Sequence, residues 1–365
     1  MTTTPVTRDI WRASYRDIAL YAPDRAPCRV DLSDNTNAWG IPPAALHAIA
    51  GVGGSVFARY PQLYADGLKL AIASYVGVTP DMIVTGCGSD DVLDSAIRAF
   101  VEPGDRVVCP DPTFPMVPLF ARMNGAECTP VPLTSDYDAD AAAMLEVKAR
   151  IIYLCSPNNP TGATLQRDTI RTILQRARGD QIVIVDEAYI EYGGESVVTL
   201  IRDHPRLLVA RTMSKAFGLA GLRVGYAIGM PALVAEVEKS RGPYKVSVVA
   251  QAAAVAALGE GIEWVRERVS LTIEGRDRLA KELVERGLSP IDSAANFVLV
   301  PLSGATTIAR AMRERGVAVR PFENLPRVSE ALDATNGSAL RITIGPWDMM
   351  AEALTVLDEA RRACA

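Results

Sequence analysis

A chain of 365 residues, 49% of them hydrophobic, is long enough for a large and a small domain with sizeable cores. The formal net charge of −5 argues against a nucleic acid or an anionic membrane surface as the main partner. Two isolated histidines, no H-E-x-x-H and six cysteines without a C-x-x-C pair set metal sites and Ser-His chemistry aside. They point instead to reduced thiols in a cytoplasmic protein.

The opening MTTTPVTRDIW has no apolar signal core, and His47 falls in an expected helix after Pro42-Pro43. From about Pro80 to Gly229, short apolar runs alternate with helix-like segments. The runs at 82–85, 106–109, 150–155, 181–186, 207–211 and 223–228 are nearly continuous in apolarity, as strands buried on both faces require. Helices are expected between them at 89–100 and 166–178, which predicts a doubly wound, mainly parallel α/β sheet. Beyond it come a long helical region at 247–285, a strand at 296–300, a helix at 304–315, strands at 317–320 and 339–344, and a last helix near 348–362. That mixture suits a smaller α+β domain. The low-charge stretch Val246 to Leu258 is too short to span a bilayer.

In open parallel sheets, ligands bind beyond the carboxyl ends of the strands. The polar punctuation of this chain falls there: GCGSDD, DPTFP, SPNNPTG, DEAY and TMSKAFGLAG each follow an apolar run. Ser89 and Asp90 suit a helix cap, or a helix start whose amides hold a phosphate. Asp186 ends a buried run and suits either a turn cap or a partner for a pyridinium nitrogen, with Asn159 and Tyr189 as donors to a ring oxygen. Phe114 is a core residue or a flat face for that ring. A lysine is ordinarily a solvated surface group, but Lys215 directly follows an apolar strand. With Thr212, Ser214 and Arg223 near it, it suits a Schiff base to a phosphorylated aldehyde.

Taken together, ARYPQLYADGL at 58–68, CGSDD at 87–91, PDPTFPM at 110–116, SPNNPTG at 156–162 and VDEAYIEY at 185–192 resemble the fold-type-I pyridoxal-phosphate aminotransferases. So do RTMSKAFGLAGLRVGYAIG at 211–229, ANFVLV at 295–300 and LRITIG at 340–345. The histidinol-phosphate aminotransferase family is the nearest match, and the stretches run in its order. The resemblance implies an α/β protein with a large domain, built on a mainly parallel seven-stranded sheet, and a smaller α+β domain. Residues 1–45 would be an N-terminal arm and part of the small domain, 46–250 the large cofactor-binding domain, and 251–365 the C-terminal small domain.

The resemblance also implies pyridoxal 5'-phosphate on Lys215, with Lys215 shuttling the substrate's α-proton. Asp186 would pair with the pyridine nitrogen, Asn159 and Tyr189 would hold the ring oxygen, and Phe114 would stack on the ring. Ser89, Asp90, Thr212, Ser214 and Arg223 would hold the phosphate. Tyr60 would reach the phosphate from the neighbouring subunit of a homodimer. Arg341 would bind the substrate carboxylate, with Tyr21 and Arg320 at its side chain. The implied reaction is ping-pong transfer between an amino donor, histidinol phosphate first, and 2-oxoglutarate. An aromatic or other amino-acid aminotransferase, and a decarboxylase resembling threonine-phosphate decarboxylase, are the alternatives. Three stretches depart from the family pattern: Asp34-Asn35-Thr36-Asn37, Pro243-Tyr244-Lys245-Val246-Ser247 and the long connection 323–339.

Overall fold

The computed structural model describes residues 10, 12–20 and 27–364, so Tyr21 lies outside the described residues. Its strands in chain order are β1 (Val30–Asp31), β2 (Ile83–Cys87), β3 (Arg106–Asp111), β4 (Glu127–Pro132), β5 (Ile151–Cys155) and β6 (Ile182–Asp186). They continue with β7 (Leu207–Thr212), β8 (Val224–Ile228), β9 (Phe297–Pro301), β10 (Val317–Ala318), β11 (Arg320–Phe322) and β12 (Ala339–Thr343).

The continuous apolar runs of β5, β6, β7 and β8 are buried at every position, because helices cover both faces of the sheet they form. Alternate residues feed opposite cores. Ile152, Leu154, Val183 and Val185 face a core closed by the helices Asp66–Val76, Arg167–Arg176 and Val248–Leu258. Ile151, Tyr153, Ile182 and Ile184 face the helices Gly88–Phe100, Met116–Met123 and Pro231–Arg241. The seven strands run in the order β2-β8-β7-β6-β5-β3-β4, and only β8 is antiparallel to its neighbours. β4 had no signal in the apolar pattern. Its two prolines, Pro130 and Pro132, are tolerated because β4 is the edge strand.

A three-stranded antiparallel sheet, β11-β12-β9, and a parallel pair, β1-β10, make the second unit. Its core joins Val30 and Leu32 to Val298, Val300, Leu340, Ile342 and the last helix, Trp347–Cys364. The expected strand at 317–320 is two strands, since the chain pairs with β1 through Ala318 and then with β12 from Arg320. The expected helical region at 247–285 is also divided. Val248–Leu258 and Ile262–Glu285 meet at a 74° bend over Gly259-Glu260-Gly261.

The first of these helices buries Ala250, Ala253, Ala254 and Ala257 in the large core. The second reaches from Val265 in that core to Leu279 and Leu283 in the smaller one. Ile262–Glu285 thus runs from one core into the other. The long connection 323–339 folds onto the small sheet. Its short helix Glu330–Ala334 is capped by Ser329 and buries Leu332 against Ile291, Leu299 and Ala339. No single helix among the described residues is long and apolar enough to cross a membrane.

Candidate active site

The carboxyl ends of β2, β5, β6 and β7 open on one edge of the main sheet. The antiparallel β8 starts there too, with Val224 paired to Cys87 and Gly225 to Thr212. A side chain on Gly225 would place its Cβ 2.2 Å from the Ser89 nitrogen, so only glycine lets the start of the helix Gly88–Phe100 sit against β8. Gly88 has φ +84°, and a Cβ there would meet the Arg223 guanidinium at 2.4 Å. This brings Arg223 to a helix N-terminus, an arrangement suited to an anion. Arg223 holds Asp90 Oδ2 at 3.2 Å and reaches Ser214 Oγ at 3.4 Å, while the Ser214 N–H donates to Thr212 Oγ1 at 3.1 Å. Ser89, Asp90, Thr212, Ser214 and Arg223 thus share one corner, in which the Asp90 carboxylate is the guanidinium's counter-ion.

Asp186 closes β6 and is only 3% exposed. Burial pushes its carboxyl up to about 6, although the Tyr153 hydroxyl donates to Oδ2 at 2.9 Å and the Ala188 N–H to Oδ1 at 3.1 Å. The next residue, Glu187, turns to the other side and pairs with the buried Arg211 at 2.8 Å.

Lys215 lies in the loop after β7. Its Nζ donates to the Asp34 carbonyl at 3.2 Å and stands 5.7 Å from the centre of the Tyr189 ring. Burial, then the nearby Arg341, lowers its amine to about 8, with Arg223 adding to the fall and Asp34 and Asp90 opposing it. The Tyr189 hydroxyl accepts from Asn35 Nδ2 at 3.0 Å. On the other side, Arg341 Nη1 donates to Asn159 Oδ1 at 2.6 Å and Nη2 to the Ser33 carbonyl at 2.8 Å. The acceptor end of the Asn159 amide therefore faces Arg341, and its donor end points away. The Arg341 guanidinium lies 5.3 Å from the Phe297 ring and 5.5 Å from that of Phe322. Arg320 is directly opposite Arg341 in the β11/β12 pair, so both project from one face.

Phe114 is half-buried against the core that includes Cys155. Its loop is tied to the SPNNPTG turn by Asn158, which donates to the Pro112 carbonyl and accepts from Thr113 Oγ1, both at 3.0 Å. Tyr60 is elsewhere. It is 82% exposed and stacks on Tyr244 with ring centres 4.8 Å apart. Lys245, at one departure from the family pattern, pairs with Asp91 at 3.1 Å. Asn35, Tyr153 and Asn158 were not singled out for the site by sequence reasoning. Only Asn158 had a signal, its place beside Asn159.

A mainly parallel sheet with a second, smaller unit gathers a half-buried lysine, a buried aspartate and a buried arginine at the strand ends, where open α/β sheets of enzymes bind their ligands. The family model "Aminotransferase class I and II" matches residues 29–357, and the chain belongs to that family. It is 35% identical over 346 residues to a histidinol-phosphate aminotransferase of Caldanaerobacter subterraneus, covering 93% of this chain and 95% of the relative. It is 36% identical over 348 residues to an aromatic amino acid aminotransferase of Corynebacterium efficiens, covering 92% and 98%. A solved histidinol-phosphate aminotransferase from Sinorhizobium meliloti, in complex with pyridoxal-5'-phosphate, superposes with a TM-score of 0.82 at 27% identity, covering 93% and 92% of the two chains.

Proposed function

We propose that this aminotransferase carries pyridoxal 5'-phosphate on Lys215 and moves the amino group of histidinol phosphate to 2-oxoglutarate by a ping-pong route. The observation that carries the reading is a half-buried lysine, lowered to about 8 and held on the Asp34 carbonyl, at the same sheet edge as the buried Asp186. When bound, pyridoxal phosphate supplies an electron sink for breaking a bond at the substrate's α-carbon. Asp186 would hold its ring nitrogen, Tyr189 and Asn159 its ring oxygen, and Phe114 one ring face. The phosphate fits the corner formed by Arg223, Ser214, Thr212 and the amides of Ser89 and Asp90.

The geometry supports the following contributions from the protein's own residues. Arg341 would receive the anionic group beside the reacting carbon, the phosphate of histidinol phosphate or the carboxylate of 2-oxoglutarate, with a planar fork already braced by Asn159, Ser33 and two phenylalanines. Arg320, opposite Arg341 in the β11/β12 pair, would add a second cation for that phosphate or for the second carboxylate of 2-oxoglutarate. Lys215, neutral in part near pH 7.5 because its amine is depressed, takes and returns the proton at the substrate's α-carbon.

An aromatic amino acid is the second reading. It is favoured by the apolar flanks Phe297 and Phe322 beside Arg341 and by the Corynebacterium efficiens relative at comparable identity. Adding donors singly to cofactor-loaded protein and following loss of the cofactor's visible band separates the two. Histidinol phosphate should exceed any aromatic amino acid by more than about tenfold in kcat/KM, the worth of one charge-assisted contact. The reverse order would give the site to aromatic substrates. Carbon dioxide release without a keto acid would make the enzyme a decarboxylase.

A further inference from the structure

Asn35 is 1% exposed and holds a left-handed backbone, φ 55°. It makes four hydrogen bonds, each to a residue distant in sequence. Its backbone N–H donates to Thr343 Oγ1 at 3.0 Å, and Thr343 Oγ1 donates to Asn35 Oδ1 at 3.1 Å. Its carbonyl accepts from Asn296 Nδ2 at 3.1 Å, and its own Nδ2 donates to the Tyr189 oxygen at 3.0 Å.

Thr343 Oγ1 accepts the Asn35 backbone N–H and gives its single proton to Asn35 Oδ1. The oxygen end of the amide therefore faces Thr343, and the NH2 end faces Tyr189. The Tyr189 oxygen is thus a receiver on its Asn35 side, and its one proton must point elsewhere. The ring itself is fixed by an edge contact to Phe297, with centres 5.2 Å apart at 85°.

We propose that Asn35 is a positioning residue that turns the Tyr189 hydroxyl proton into the site, making Tyr189 a committed donor to the ring oxygen of the cofactor. This rests on the cofactor reading given above. The chain of donors begins at Thr343 in β12, so the small sheet sets a hydrogen-bond direction at the edge of the large one. Besides Asn35, the groups that bear on Tyr189 are Arg341, Lys215, Asp186, Cys155 and Tyr192. Burial raises the phenol to about 12, with Arg341 and Asn35 opposing the rise, so the proton to be aimed is present at working pH.

The test uses the cofactor-loaded enzyme and two readouts that need no turnover: the pH midpoint of the bound cofactor's colour change, and the apoprotein's affinity for pyridoxal phosphate. A donor at the ring oxygen stabilises negative charge there and lowers the midpoint. Tyr189→Phe should raise the midpoint by about one unit, the size of one charge-assisted bond. Asn35→Ala should raise it by part of that amount, with weaker cofactor binding, and should add nothing in the Tyr189→Phe background. Thr343→Val, which leaves the amide free to flip, should move it the same way and serves if Asn35→Ala does not fold. A shift that persists in the Tyr189→Phe background, or no shift in either variant, overturns the role of Asn35 while leaving Tyr189 in place. A Tyr189→Phe enzyme with the parent midpoint would overturn the reading of Tyr189, and that of Asn35 with it.

Discussion

Replacing Asp186 with asparagine should stabilise the empty protein while weakening its hold on the cofactor. Burial raises this carboxyl from 3.8 to about 6. A rise of about two units corresponds to roughly 3 kcal/mol between the two protonation states. Because the folded value lies above the unfolded one, the stability linked to this group is fully present below about pH 4. It is lost as pH rises through about 6. At neutral pH the ionised, desolvated carboxylate is therefore a burden that asparagine removes.

Asparagine has one acceptor oxygen where the carboxylate offers two, one to Tyr153 and one to Ala188, and losing one such bond costs about 1 kcal/mol. The net expectation is about 2 kcal/mol in favour of Asp186→Asn near neutrality, turning into a loss of about 1 kcal/mol near pH 4. Thermal midpoints of the two apoproteins across this range check the sign change, and pyridoxal phosphate titrations should show binding weakened about 10- to 100-fold. A stability difference that does not vary with pH, or an asparagine protein weaker at neutral pH, would refute the burial argument.

Capture of pyridoxal phosphate by the apoprotein should speed up with pH and level off above about 8, because only the neutral Lys215 amine attacks and burial sets its value there. Stopped-flow traces with a midpoint above about 10, the range of an exposed lysine, would contradict this. Arg341→Lys should raise KM for histidinol phosphate and 2-oxoglutarate alike by about 10-fold or more, since the phosphate of one and the carboxylate of the other would meet the same planar fork. An effect on only one substrate in steady-state kinetics would move the role elsewhere. Tyr60, exposed in the protomer, should complete its partner's site in a homodimer. Mixed dimers of Lys215→Ala and Tyr60→Ala chains should then recover activity that neither parent has, and no recovery after subunit exchange would place Tyr60 outside the site.

The strands that carry the site were legible because buried parallel strands leave continuous apolar runs, and the polar clusters ending them mark one edge of the sheet. What the pattern hid has physical causes. β4 carries prolines that an edge strand tolerates and a pattern reader takes for a breaker. The 74° bend at Gly259–Gly261 interrupts an alanine-rich stretch whose composition on both sides is helical. The switch of the chain from β10 to β11 at Val319 divides what reads as one short strand. Asn35 was noted only as part of a departure from the family pattern, since its hydrogen bonds to Tyr189 and Thr343 span 154 and 308 residues. The brace of Tyr153 on Asp186 was hidden for a related reason. A tyrosine inside a buried strand reads as core until the neighbouring strand's register, Cys155 beside Asp186, brings its hydroxyl to the carboxylate.

The account turns on one covalent bond, between the cofactor and Lys215. Borohydride reduction of the loaded protein, followed by trypsin digestion and mass spectrometry, would locate it. The account predicts a pyridoxyl phosphate mass on the peptide Thr212–Arg223, uncut at Lys215, and no such mass in the Lys215→Ala protein. The same mass on a peptide carrying any other lysine, or on none, would contradict it.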